Sequence, residues 1–139
     1  MSKVSPRQMT ITLEVRDDDL DELGHVNNAN YLRYAEEAAR AHSAARGFPV
    51  EAYLDTGAVP VVRKHEIRYR RPAVRGDRLA VTTELRRLDH RRATRHTHIR
   101  RAGDGTLLAE AVTEWVWVDA GTGRLVSVPT AVLAAFELE

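Results

Sequence analysis

The chain has 139 residues, with 21 Lys and Arg against 20 Asp and Glu, a net charge of +1 at pH 7. That length suits one domain around one core, and a charge so near zero argues against a general nucleic-acid binder. No cysteine is present, which excludes disulfides and thiolate-bound metals; no signal-like apolar run opens the chain and no membrane-spanning run of about 18 apolar residues occurs, so a soluble cytoplasmic protein is expected.

In chain order, Thr10 to Val15 places Ile11, Leu13 and Val15 on one face, the period-two pattern of a half-buried strand. Asp17 to Gly24 breaks that period, and Asn27 or Asn28 stands where a helix N-cap would, its side-chain oxygen able to accept an orphan backbone N–H. A helix is expected from about Ala29, with Tyr31, Ala35, Ala38, His42 and Ala45 at helical spacing and Gly47 with Pro49 as the stop. A face built of alanines lets a helix axis lie close to a sheet, which predicts a buried helix gripped by strands.

After a variable connection, Val59 to Arg71 reads as a long strand closed by Pro72 and a Gly76-Asp77 turn. Arg78 to Leu88, Ala93 to Arg101 and Leu107 to Asp119 follow as strands, separated by hairpin signals at Asp89-His90-Arg91 and Gly103-Asp104-Gly105. The predicted order is one strand, one helix, then four strands in a meander. "DAGTGRLVSVP" ends the sheet, and Thr130 to Leu138 forms a short terminal helix with Pro129 near its start. No repeat, low-complexity tract or linker divides the chain, so residues 1–139 are read as one domain.

These elements predict an α+β fold, a curved antiparallel sheet of about five strands wrapped around one long central helix. Such a sheet has open edges in one copy, and the chain is short to enclose a deep pocket alone. A symmetric homodimer is therefore expected, paired through the Val59 to Arg71 strand. Trp115 and Trp117 share a face of the last long strand with the small Ala109 and Ala111. Packing or subunit contact explains them, and the latter favours a dimer of dimers, a homotetramer. His96 and His98 share a strand face, but no third ligand of suitable spacing accompanies them, and no metal site is expected.

Acids gather in Asp17 to Glu22, and arginines in Arg63 to Arg78 and Arg86 to Arg101. Solvated strand faces explain the arginines as readily as a basic surface for a phosphorylated small molecule.

The order of elements, with "DLDELGHVNNANYLRYAEEAAR" and "IRYRRPAVRGDRLAV", resembles the hotdog-fold acyl thioesterases of the 4-hydroxybenzoyl-CoA thioesterase-like superfamily, and within it the long-chain acyl-CoA thioesterase III type. The resemblance spans nearly the whole chain. It implies a hotdog fold, an acyl-CoA substrate without a cofactor, and a place in fatty acid metabolism. It also implies a carboxylate at Asp21 that attacks the thioester carbonyl or activates water, and a rival helix base at Glu36. Three other functions stay in view: an acyl-ACP thioesterase, a hotdog dehydratase or hydratase, and a non-catalytic acyl-thioester-binding protein.

Thioester hydrolysis needs a base or nucleophile near the carbonyl carbon and donors aimed at the developing oxyanion, and the thiolate leaves without strong acid assistance. The N-terminus of a buried helix offers free N–H groups and a positive dipole end, here at Asn28, Ala29 and Asn30, with Tyr31 one residue on. Asn27 and Asn28 divide between N-cap and oxyanion donor. His25 could orient the carboxylate, donate to the thioester or assist water, or serve only as a hydrogen-bonded structural residue. Asp21 could equally be a turn-capping residue. Glu36 could pair with Arg33 or Arg40 instead of acting as a base, and Asp17, Asp18 and Asp19 read as loop solvation. Arg63, Lys64, Arg70, Arg71 and Arg75 form the pool from which CoA phosphate contacts would be drawn.

Overall fold

The computed structural model describes residues 5–137 of the chain. Its elements are β1 (Gln8–Glu14), a 3-10 turn (Asp17–Asp19), α1 (Asn28–Ala45), α2 (Val50–Thr56), β2 (Ala58–Tyr69), β3 (Arg78–Leu88), β4 (Ala93–Arg101), β5 (Leu107–Asp119), β6 (Leu125–Val126) and α3 (Thr130–Ala135). α3 stops short of the expected end at Leu138, which lies outside the described residues. The connection after α1 contains a helix the sequence pattern did not suggest, α2, which starts after Pro49 and ends at Gly57 in the left-handed conformation (φ 82°).

All strand pairs are antiparallel, in the order β1-β3-β4-β5-β2, with the two-residue β6 added to the end of β5. The expected four-strand meander is therefore correct only for β3, β4 and β5. β2 lies on the far edge, paired with β5 from Ala58↔Asp119 to Tyr69↔Ala109. The reason lies in the segment after β2. Arg70 and Arg71 donate their N–H groups to the Leu108 carbonyl, and Ala73 and Val74 then leave the sheet to brace the loop before α1. The chain re-enters beside β1 rather than folding back as a hairpin.

α1 lies against the sheet through Tyr31, Tyr34, Ala35, Ala38, Ala39, His42 and Ser43. The alanine face is buried as expected, with Ala38 fully so, but Ala45 is exposed and the buried stripe runs out through Ser43 instead. The helix ends in a Schellman arrangement: Phe48 N–H donates to the Ser43 carbonyl and Gly47 N–H, at φ 90°, to that of Ala44.

Two apolar clusters flank the helix. One, around Tyr31, Tyr34, Leu79, Val81, Ile99 and Leu108, sits under its first half. The other, around Tyr53, Leu85, Trp117, Val132 and Phe136, sits under its last turns. Between them runs a buried polar belt of His42, Ser43, Thr83, Arg95, Thr97 and Thr113. Trp115 and Trp117 fall on the helix-facing side with Ala111 and Ala93 across the register, so they pack inward. The expectation that they offer an outer face for a tetramer loses its basis.

Asp19, expected to be solvated, is 2% exposed. Its carboxylate accepts from the Arg16 N–H and the Tyr34 hydroxyl and pairs with Arg33, and its carbonyl accepts from the Asn27 N–H and Asn30 Nδ2. Burial alone would favour the protonated acid, but the Arg16 N–H, the Tyr34 hydroxyl and the two arginines outweigh it and hold the carboxyl below its usual range. Burial and the Asp19 carboxylate together push the Tyr34 phenol well above its usual range.

Two predictions follow from these contacts. Asp19→Ala leaves the Tyr34 hydroxyl buried without an acceptor and Arg33 unpaired, and should lower stability by roughly 2–4 kcal/mol. Urea unfolding should show the midpoint fall with the slope unchanged, and a midpoint equal to that of the unaltered chain would refute the role of Asp19 as an anchor.

The second concerns His42, whose Nε2 donates to the Pro6 carbonyl (2.7 Å) while Nδ1 accepts from Arg95 (2.9 Å). Burial, then the Arg95 charge, push it down to about 4. The unfolded chain therefore takes up this proton first, and stability declines as pH falls from about 6.5 to about 4. His96, lowered mainly by burial, acts in the same direction in both proteins compared. Unfolding midpoints measured across that range should fall less steeply for His42→Asn than for the unaltered chain, and parallel slopes would contradict the assignment.

Candidate active site

The loop from Leu20 to Asn27 is held in place by backbone bonds before any side chain acts. Leu20 bridges to Val26, His25 bridges to Val74, and Val26 N–H donates to the Ala73 carbonyl (2.8 Å). The two motifs "DLDELGHVNN" and "RPAVRGD", some forty residues apart in the chain, thus form one structure. Ala73 is fully buried, and its own N–H donates to the Tyr31 hydroxyl (2.9 Å). Gly76 at φ 85° turns the chain so that Asp77 Oδ2 accepts from the Val74 N–H.

Asp21 sits at the apex of this loop. Its Oδ1 accepts from the Leu23 and His25 N–H groups (2.9 and 3.1 Å), and its N–H donates to the His25 carbonyl (2.7 Å). The turn-capping role considered from the sequence is thus present. Oδ2 makes no hydrogen bond among the described residues, and Asp21 is exposed. It shares an open depression with Leu20, Glu22, Leu23 and Asn27.

Asn27, not Asn28, is the N-cap of α1, and its Oδ1 accepts from the Ala29 N–H (3.0 Å). The Asn30 N–H donates to the Asn27 carbonyl. Of the three helix-end donors expected from the sequence, the Ala29 and Asn30 N–H groups are already engaged, which leaves the N–H of Asn28. The Asn30 side chain bonds to the Asp19 carbonyl and to Arg33 Nε, and the Tyr31 hydroxyl faces Ala73 in the core. The substrate-binding expectation for Asn30 and Tyr31 thus meets side chains committed to holding the loop. Tyr69, from β2, closes the same corner, donating its hydroxyl to the Asn28 carbonyl (3.1 Å).

His25 is half-buried, with its backbone tied to Asp21 and Val74. Glu36 is elsewhere. It pairs with Arg40 (3.8 Å), as one sequence reading allowed, and lines a narrow cleft with His65, Arg95, Thr113 and Trp115. His65 Nδ1 lies 2.9 Å from the Thr113 hydroxyl. Within one copy the structure therefore gathers Asp21 and Asn27 with the helix N-terminus, and leaves Glu36 in a separate cleft near the β2 edge. Of the basic pool, Arg63 pairs with Glu114, Lys64 with Glu66, Arg70 with Glu110 and Arg75 with Asp17, whereas Arg71 makes no ion pair among the described residues. His96 and His98 line a shallow outer-face hollow with Glu66 and Glu110, and no grouping suited to a metal ion occurs among the described residues.

A cavity of about 480 Å³ lies at the other end of α1. Ala39, Tyr53, Leu85, Trp117, Val132 and Phe136 form much of its wall, and Arg40, Val50, Glu51, Val59 and Pro60 its rim. This size falls within the roughly 300–1,000 Å³ of small-molecule pockets. The sequence reading missed it for a physical reason: α2 and α3 complete it, α2 was not expected, and the Phe136 ring comes from beyond the sheet. Arg95 was legible in principle. It occupies an inward position in the alternation Ala93, Arg95, Thr97, Ile99, where an arginine breaks the apolar pattern.

A family model of the thioesterase-like superfamily matches residues 15–136. The long-chain acyl-CoA thioesterase FadM of Escherichia coli (strain K12) is 32% identical over 116 residues, covering 84% of this chain and 87% of that protein. A 1,4-dihydroxy-2-naphthoyl-CoA thioesterase from Synechocystis superposes with a TM-score of 0.85 at 22% identity, over 93% of this chain and 95% of the other. A Staphylococcus aureus protein solved in complex with CoA gives 0.86 at 17% identity, over 97% and 85%. At those identities the structural likeness is one of fold, and it bears out the hotdog arrangement that the two motifs predicted. With the family match spanning most of the described chain, this protein belongs to the thioesterase-like superfamily and is a thioester hydrolase.

Proposed function

We propose that the protein hydrolyses the thioester of an acyl-CoA, with Asp21 as the base that activates water and the N-terminus of α1 as the oxyanion donor. The observation that carries this reading is the Asp21 carboxylate itself, oriented by two N–H bonds to Oδ1 while Oδ2 stays free beside the Asn27-capped helix end. Water gives a proton to Asp21 as its oxygen bonds to the carbonyl carbon, and the Asn28 N–H with the helix dipole stabilises the oxyanion. The C–S bond then breaks, the electron pair leaves on sulfur, and the proton passes from Asp21 to the thiolate or to solvent. The products are a carboxylic acid and CoA.

The site is completed by a second copy. β2 is a sheet edge, and Val61 and Tyr69 on it, Leu23 in the loop, and Val50 and Leu54 on α2 are exposed apolar side chains. Antiparallel pairing of two β2 strands sets the Tyr69 end of one beside the Ala58 end of its partner. Because Tyr69 holds the N-terminus of α1, and Val59 and Pro60 rim the cavity, the Asp21 loop of one protomer then faces the cavity of the other. The thioester lies at the junction, with the acyl group in the cavity and the nucleotide outward. Arg71, without an ion pair among the described residues, serves its phosphates; the exposed pairs of Arg70 and Arg75 are weak enough to exchange carboxylate for phosphate.

Asp21→Asn should lower turnover by at least about 100-fold in a thiol-release assay on a panel of acyl-CoA and acyl-ACP esters, with the fold retained. Near-normal turnover of that variant together with a dead Glu36→Ala would move the base to the helix. The shared site gives a second test. Asp21→Asn and a cavity-filling Ala39→Phe should each be inactive alone. Mixed and re-equilibrated in equal amounts, they should recover about a quarter of normal activity, since half the dimers are hybrids with one intact site each. No recovery on mixing would place the loop and cavity of each site in one chain.

A further inference from the structure

Arg95 is a buried cation without a buried anion. It is 6% exposed, on an inward position of β4, and it lines both the cavity and the cleft beside Glu36. Its Nη1 bonds to neutral partners only, His42 Nδ1 (2.9 Å) and the Thr83 hydroxyl (3.0 Å), and its guanidinium carbon sits 5.8 Å from the centre of the Phe136 ring. No carboxylate pairs with it among the described residues. Burial brings its pKa down to about 10, so it still carries its charge at neutral pH.

A charge removed from water is costly unless paired, and a hydrocarbon side chain of similar length would fill this wall without that cost. The carboxylates nearby are engaged or peripheral, Glu36 in the cleft pairing with Arg40 and Glu51 lying at the cavity rim, and the wall beside Arg95 adds donors. The Trp115 and Trp117 indole N–H groups are buried with no acceptor among the described residues, and the Tyr53 hydroxyl donates to Ser43. Most of the rest of the wall is aromatic or aliphatic. A cavity for a plain hydrocarbon chain needs none of this polarity, and a local break in an otherwise consistent pattern is where function is expected.

We propose that Arg95 is a specificity residue, and that the acyl group taken into this cavity carries an anionic oxygen function, a carboxylate in the simplest case, at its end remote from the thioester. This inference rests on the acyl-CoA reading above and narrows its substrate class. The hydrophobic middle of such an acyl group lies against Trp117, Leu85 and Phe136. Its far carboxylate accepts from the guanidinium nitrogens that His42 and Thr83 leave free, a charge-assisted pair inside a water-poor site. His42 holds the guanidinium from behind, with its own far nitrogen fixed by the Pro6 carbonyl.

The test is a panel of matched CoA esters, ω-carboxyacyl against methyl-terminated chains of about six to twelve carbons, with an aryl pair, 4-carboxybenzoyl against benzoyl. The unaltered enzyme should favour the carboxylate member of its best pair by at least about tenfold in kcat/KM, and a smaller preference overturns the inference. Arg95→Met should lose that preference, its kcat/KM falling at least about tenfold more on the carboxylate member than on the uncharged one. An equal loss on both members would mark Arg95 as structural and overturn it too. If Arg95→Met does not fold, Arg95→Lys, which keeps the cation, together with the panel on the unaltered enzyme decides the question. Hydrolysis of the uncharged series alone would leave the thioesterase reading standing and sink only this inference, whereas no hydrolysis of any CoA ester would sink both.

Discussion

The buried carboxylate of Asp19 is the contact on which the geometry of the site depends. An acid this far inside the protein is tolerable only because the Arg16 N–H, the Tyr34 hydroxyl and Arg33 all meet it. Those partners belong to different parts of the chain: the end of β1 on one side, the first turns of α1 on the other. The Asp19 carbonyl adds the Asn27 N–H and the Asn30 side chain. One residue therefore fixes where the helix starts and which way its first N–H groups point. Asp21, two residues later, inherits that position and can stay exposed with one oxygen free, because the support lies beneath it rather than at it.

The same division of labour explains why the second motif accompanies the first. Ala73 is fully buried where it passes α1, with its N–H on the Tyr31 hydroxyl and its carbonyl on the Val26 N–H. The proline before it and the positive φ of Gly76 after it hold the chain off the sheet, so that β2 crosses to the far edge instead of forming a hairpin with β3. The crossing makes β2 an edge of the sheet, with one side of its backbone open to pairing.

Much of this was legible in the sequence, because periodicity and turn chemistry carry strand and helix positions well. β3, β4 and β5 were expected at the bounds they have, and α1 with its glycine stop was expected to bury an alanine face. Pairing partners were not legible: nothing local to Val59–Arg71 says that it pairs with β5 rather than β3. Nor was the fate of three consecutive aspartates, which look alike until tertiary contacts select Asp19 for burial. The acidic loop and the asparagine cap were visible as candidates. Which helix N–H remains open became clear only once Asn27 was seen to engage Ala29 and Asn30.

The polar belt gives the remaining step. The cluster under the start of α1 is aliphatic and aromatic and serves to hold the loop; the one under its end is incomplete and encloses a cavity. Were the belt between them apolar, the two would merge and the cavity would be an extension of the core, ready to close by small shifts of side chains. His42, Thr83 and Arg95 prevent that. Each donor or acceptor they bring must keep its partner, so this side of the cavity holds its shape through hydrogen bonds, while α2 and α3 are tied to α1 through Tyr53 to Ser43 and Arg46 to the Ala135 carbonyl and otherwise pack against it. The hydrogen-bonded side of the cavity thus keeps the charge at Arg95 fixed against it.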